Sequence, residues 1–229
     1  MRVKKLISLI CVITITAFLG GRIHGLASAG AGAALEKNVE GEETSDENSG
    51  EESKNGGMKS LPESLSCSFI VPEGFHASDD EPGVYLNEYY PLESANISYS
   101  VSKLPQDRVL TNAQKAAGES ADAGNVEFKY DELTGEMYET IQKENYEALY
   151  GANIGFTLES FENKEFDGFP GYLIKTSFTP EGSQTIHQIS AIVLSKNKVY
   201  TIVYSRADDD DFEDVINESI STIHVLPKG

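Results

Sequence analysis

From Leu61 to Leu226 the apolar positions fall into two periods, and each period predicts an element. In "ANISYSVS" (Ala95 to Ser102), Ile97, Tyr99 and Val101 share one face while Asn96, Ser98 and Ser100 share the other, which predicts a half-exposed strand. "GYLIKTSF" (Gly171 to Phe178) sets Tyr172, Ile174 and Phe178 against Lys175 and Ser177 in the same way. "ISAIVLS" and "VYTIVYS" are nearly continuous apolar runs joined by Lys196 to Lys198, the pattern of a central hairpin covered on both faces. In "FENKEFDGFPGY" the Asp167-Gly168 pair marks a further hairpin turn.

Helical spacing recurs in two places. Between Asp131 and Tyr150 the residues Tyr138, Ile141, Asn145, Ala148 and Leu149 form a mixed stripe. Phe212, Val215, Ile216, Ile220 and Ile223 make a cleaner one, predicting a final helix that runs to the end of "SISTIHV". Thr111 with Gln114 three residues on is a capping-box signature, here inside a crossing stretch poor in large apolar groups. The expected fold class is α+β: an antiparallel β-sheet of about six strands flanked by helices.

The chain ahead of this domain is of another kind. "MRVKK", the apolar "LISLICVITITAFLG" and the small residues Ala27 to Ala29 have the order of a secretory signal peptide cleaved near Ala29. The apolar run falls short of the roughly 20 residues that span a bilayer. Cys11 lies inside that run rather than after it, so a lipid-attachment site is not expected. Residues 30–57 carry eight acids, two lysines and no aromatic side chain, a composition that cannot bury enough surface to offset ordering. The expected plan is a signal peptide at 1–29, a disordered acidic linker at 30–60 and a single domain at 61–229.

Charge narrows the partners. The whole chain has a formal charge of −19, and without residues 1–29 it is −23, with 14 Lys and Arg against 37 Asp and Glu. Nucleic acid is excluded as a partner, because phosphate binding depends on Lys and Arg clusters. Divalent cations and basic protein surfaces are the partners such a charge attracts. Beyond the signal segment Cys67 is the one cysteine, so no intramolecular disulfide can form, and its apolar neighbours predict a small buried residue.

The densest chemistry is "DDDDFED", where six of the seven residues from Asp208 to Asp214 are carboxylates. Three roles fit: the start of the final helix, with one Asp as cap and others at the positive end of the dipole; a calcium site using Asp208, Asp209 and Asp211; or an acidic docking patch. The spacing departs from the calcium-loop pattern, since Asp208 to Asp211 are consecutive and no glycine makes the turn. His76, His187 and His224 are scattered without a second ligand at metal spacing. No nucleophile elbow, zinc-protease helix or phosphate loop is found, so no catalytic residues and no cofactor are expected. Tyr85, Tyr89 and Tyr90 in "GVYLNEYYP" are the candidate partner-binding aromatics.

Taken in order, "FIVPEGF" (Phe69 to Phe75), "DGFPGY" (Asp167 to Tyr172), "VYTIVYS" (Val199 to Ser205) and the acidic helix closing on "SISTIHV" (Ser219 to Val225) resemble the PsbP-like family. That family comprises small α/β/α sandwich domains: photosystem extrinsic subunits, a nuclear-transport factor that binds a Ran-type GTPase, and exported bacterial proteins. The resemblance covers about residues 65 to 226 and rests on strand order and turn motifs, so no functional residue is carried over. It implies a noncatalytic binding or assembly role; the signal segment makes an extracytoplasmic protein the expected partner, and no membrane span is expected once that segment is removed. The long acidic leader departs from the photosynthetic members.

Overall fold

Asp167 and Gly168 both adopt left-handed backbone, at φ of 50° and 83°, the geometry a two-residue hairpin turn requires and one that an Asp-Gly pair supplies at little cost. In the computed structural model, which describes residues 61–87, 95–103, 110–118 and 133–229, this turn joins β5 (Thr157–Phe166) to β6 (Phe169–Phe178), and Phe166 pairs with Phe169. A second tight turn at Lys196 and Asn197 joins β7 (Ile186–Ser195) to β8 (Lys198–Ala207), with Ser195 opposite Lys198. The expectations for residues 1–29 and 30–60, and for Tyr89 and Tyr90, lie outside the described residues.

The remaining strands are β1 (Ser64–Ser68), β2 (Phe75–Ala77), β3 (Val84–Asn87), β4 (Asn96–Lys103) and β9 (His224–Pro227). Among the described residues, seven strands form one antiparallel sheet in the order β2-β3-β4-β8-β7-β6-β5, and β1 pairs with β9 in a separate two-stranded ribbon. The central hairpin is as expected: every residue from Val199 to Ser205 is buried, as is every residue from Ser190 to Ser195, because both faces of these strands are covered.

One face carries α2 (Gly135–Tyr150), whose Tyr138 packs with Tyr172, Ile174, Ile192, Leu194 and Val199. The other face carries α3 (Glu213–Ser221) and the ribbon, so that Ile216, Ile223, Cys67 and Val225 close over Ile97, Tyr200, Ile202 and Tyr204. Between β4 and α2 lies α1 (Asn112–Ala116), started by the expected Thr111–Gln114 capping box.

Three expectations are corrected. The buried face of α2 is Tyr138, Gln142 and Tyr146, while Ala148 and Leu149 point to solvent. Aromatic packing decides this: the Tyr146 ring lies 4.7 Å from Phe178 and 5.0 Å from Phe156, and its hydroxyl donates to Gln188 Oε1 at 2.7 Å, contacts that outweigh the burial of one leucine. The last helix stops at Ser221, and "HVLP" becomes β9, since pairing with β1 satisfies backbone groups and buries Val225 in a segment that Pro227 could not continue as helix. Strand β4 is buried on both faces at Asn96, Ile97 and Ser98, whereas Val101 is 41% exposed, because the covering layer reaches only one end of the strand.

Cys67 is buried as expected, and burial foremost, with the charge of Asp167, pushes its thiol up to about 12. At pH 8 that leaves roughly a thousandfold less thiolate than an ordinary cysteine has. Alkylation at Cys67, followed by peptide mass spectrometry, is therefore expected only on the timescale of unfolding.

Candidate functional site

The acidic run extends from the end of β8 into the first turn of α3, and one of its members differs from the rest. Asp210 is 7% exposed; its Oδ2 accepts the Ala207 N–H at 2.9 Å and its Oδ1 accepts the Phe212 N–H at 3.2 Å. Burial raises its pKa, against the pull of those two N–H donors and of Arg206. Asp210 thus holds the loop closed from inside, spanning from the end of β8 to the residue before α3.

Its neighbours point outward and apart. Asp208 fixes the loop by its backbone, donating to the Thr185 carbonyl at 3.0 Å, while its Oδ1 lies 3.0 Å from His187 Nε2. Asp209 Oδ2 accepts from Gln184 Nε2 at 2.8 Å, and Asp211 is exposed. Arg206 Nη2 donates to Glu213 Oε2 at 3.0 Å. The helix begins after the four consecutive aspartates: its N-cap is Phe212, with no side-chain capping bond, and of the six carboxylates only Glu213 and Asp214 stand in the first turn. The expectation that an Asp of the run caps α3 is corrected accordingly, because the buried carboxylate is committed to the loop.

The three residues considered for calcium, Asp208, Asp209 and Asp211, therefore take up separate positions. Among the described residues no group of three or more His, Cys, Asp or Glu side chains is arranged to hold a metal ion.

Sequence reasoning missed His187, which it counted as isolated. The fold places its Nδ1 3.2 Å from Glu159 Oε1 and its Nε2 3.0 Å from Asp208 Oδ1, so the ring bridges β5 and the acidic loop from its place on β7. The two carboxylates lie on opposite ring nitrogens rather than converging on one point, which is the geometry of a structural bridge and not of a shared ion. At the far end of the same face, Asp167 Oδ2 accepts the Val225 N–H at 2.8 Å and lies 2.7 Å from His224 Nδ1; these bonds hold its carboxyl below the usual range and tie the β5–β6 turn to β9.

Tyr85, the one described member of the tyrosine group, is half-buried on β3 and packs edge-on against Phe69, with centroids 5.8 Å apart at 83°. Phe69 also meets Tyr99 and Tyr204. Tyr85 thus joins an aromatic cluster that continues into the core.

No family model matches the chain, and no curated protein matches it. Among solved structures it is similar to the cyanobacterial PsbP (CyanoP) of Synechocystis sp. PCC 6803, at 17% identity and a TM-score of 0.46, over 76% of this chain and 98% of that one. It is also similar to LpqN of Mycobacterium tuberculosis, a protein involved in cell envelope biogenesis, at 15% identity and a TM-score of 0.44, over 71% of this chain and 84% of that one.

Proposed function

We propose that this chain is an exported, noncatalytic binding or assembly module that meets an extracytoplasmic protein through the carboxylates of the β8–α3 loop. The observation that carries the reading is the division of labour within the loop. One buried aspartate fixes the backbone, and Asp208, Asp209 and Asp211 are exposed on a braced support. A solvated face needs no such brace, whereas a docking surface gains from one, because ordering a loop on association costs affinity. The partner surface such a loop fits is basic, and salt should weaken the association.

The test is affinity capture from an extracytoplasmic extract with the wild-type chain and with a triple variant, Asp208→Asn, Asp209→Asn and Asp211→Asn, at low and moderate salt. The expected result is a protein retained by the wild type, lost from the triple variant and released as salt rises. Equal retention by both chains, or no retained protein at either salt, would remove the proposal.

A further inference from the structure

At the opposite end of β8, about 30 Å from the acidic loop, the charge reverses. Lys103 and Lys198 lie directly opposite one another in the β4–β8 pairing, a like-charge arrangement that is unfavourable in itself. Lys196 stands in the adjoining turn, its backbone N–H bonded to the Pro62 carbonyl, and the Lys228 N–H bonds to the Glu63 carbonyl. Lys198 Nζ donates to the carbonyls of Ser64 and Leu65 at 2.9 and 3.1 Å. Glu63 is the acid three of these cations share: Lys228 Nζ lies 2.8 Å from it, and its carboxyl is held below the usual range by that hydrogen bond first, then by the charges of Lys228, Lys196 and Lys198. Against these four lysines stand Glu63 and, bonded to the Val225 N–H beside Leu226, Asp167, so the lysines outnumber the carboxylates at this end of a strongly negative chain.

Apolar side chains stand beside them. Leu65 and Leu226 are 53% and 46% exposed on the β1–β9 ribbon, where Ser64 pairs with Pro227 and Ser66 with Leu226. Leu65 is the residue left over at the register shift between Ser64 and Ser66, and its own carbonyl is one of the two that hold Lys198. Two exposed leucines and four lysines therefore occupy one edge of the molecule.

We propose that this edge docks on an anionic lipid surface, with the lysines on headgroup phosphates and Leu65 and Leu226 in the interfacial layer. Lipid fits better than an acidic protein for two reasons. All four cations are lysines, which act as point charges on long stems and suit a diffuse negative surface, while among the described residues this edge carries no arginine fork of the kind that favours paired carboxylates; Arg206 is engaged with Glu213 at the other end. Exposed leucines among lysines add the apolar insertion that surface-bound proteins use. Docking by this end would direct the acidic loop away from the membrane.

The test is residue-resolved acetylation of the full chain by an amine-reactive ester, read by mass spectrometry. It is run without vesicles, with phosphatidylcholine vesicles, and with vesicles of phosphatidylcholine and phosphatidylglycerol. Lys103, Lys196 and Lys228 are expected to react roughly fivefold more slowly on the anionic vesicles alone, with Lys143 and Lys175 unchanged. Leu65→Ser combined with Leu226→Ser, both at exposed positions, is expected to lower binding to the anionic vesicles by about tenfold. Equal rates with both kinds of vesicle would overturn the proposal. Stronger protection by soluble polyglutamate than by vesicles would overturn it in favour of an acidic polypeptide. Protection present without vesicles and relieved by deleting residues 36–52 would overturn it in favour of the chain's own acidic segment.

Discussion

Asp210→Asn is expected to lower stability by about 2–3 kcal/mol, roughly 4–12 °C in melting temperature for a domain of this size. The carboxylate accepts from two backbone N–H groups. An amide offers one acceptor and turns an N–H₂ towards the other donor, leaving a buried N–H without a partner. Asp211→Asn, one residue along and exposed, is the control, expected to stay within about 0.5 kcal/mol.

The pH dependence has a definite sign. Burial raises the Asp210 pKa, so the folded state holds that proton more tightly than the unfolded chain does. The group's contribution to stability is then fully present below the unfolded value and is lost as pH rises through the folded one. The difference between wild type and Asp210→Asn, measured by denaturant unfolding, should therefore narrow as pH is raised through and above the carboxylate range. A gap that widened instead would mean that the two N–H bonds outweigh desolvation, contrary to the raised pKa.

Gly171→Ala is the larger disruption, at roughly 3 kcal/mol or more, or loss of the folded state. Gly171 sits on β6 opposite Val193 of β7. A Cβ there would overlap the Ile192 carbonyl oxygen and crowd the Phe166 ring, so the sheet backbone itself would have to move. Gly168→Ala offers the contrast. No atom lies within 4 Å of its Cβ position, but φ is 83°, so only backbone strain of about 1–2 kcal/mol is expected. Melting curves of the two variants separate a glycine kept for space from one kept for conformation.

Those two glycines also mark how far the sequence could be followed. Asp167-Gly168 announces its turn through local chemistry, and the flanking phenylalanines pair as that turn dictates. Gly171 gives no such sign, since the need for it arises from a strand distant in sequence. The central hairpin was legible because continuous apolar runs and a short turn together fix its register. Strand β9 was not, because four residues after a helix carry too little periodicity to reveal a partner more than 150 positions earlier.

The candidate site divides along the same line. Six carboxylates were conspicuous, yet which of them is buried is decided by bonds to Ala207 and Phe212 that composition does not encode. His187 read as isolated, although counting back from the Lys196–Asn197 turn places it opposite Arg206, two residues from Asp208. Its contact with Glu159 depends on a register shift in β5 between Leu158 and Ser160, which nothing in "TLESFENKEF" foretells. The charge reversal at the far edge of the sheet was hidden for a similar reason, since its lysines are spread from Lys103 to Lys228 and meet only through the pairing of β4 with β8 and of β1 with β9.

The proposed docking role requires Asp208, Asp209 and Asp211 to be held outward rather than gathered around an ion. The most direct measurement is thermal unfolding against calcium, with magnesium and sodium at matched ionic strength. All three salts should raise the melting temperature alike, by relieving self-repulsion in a domain this acidic. A saturable shift with calcium alone, on the order of 5–11 °C at a hundredfold excess over its dissociation constant and abolished by Asp209→Asn with Asp211→Asn, would contradict the account and make the loop a cation site.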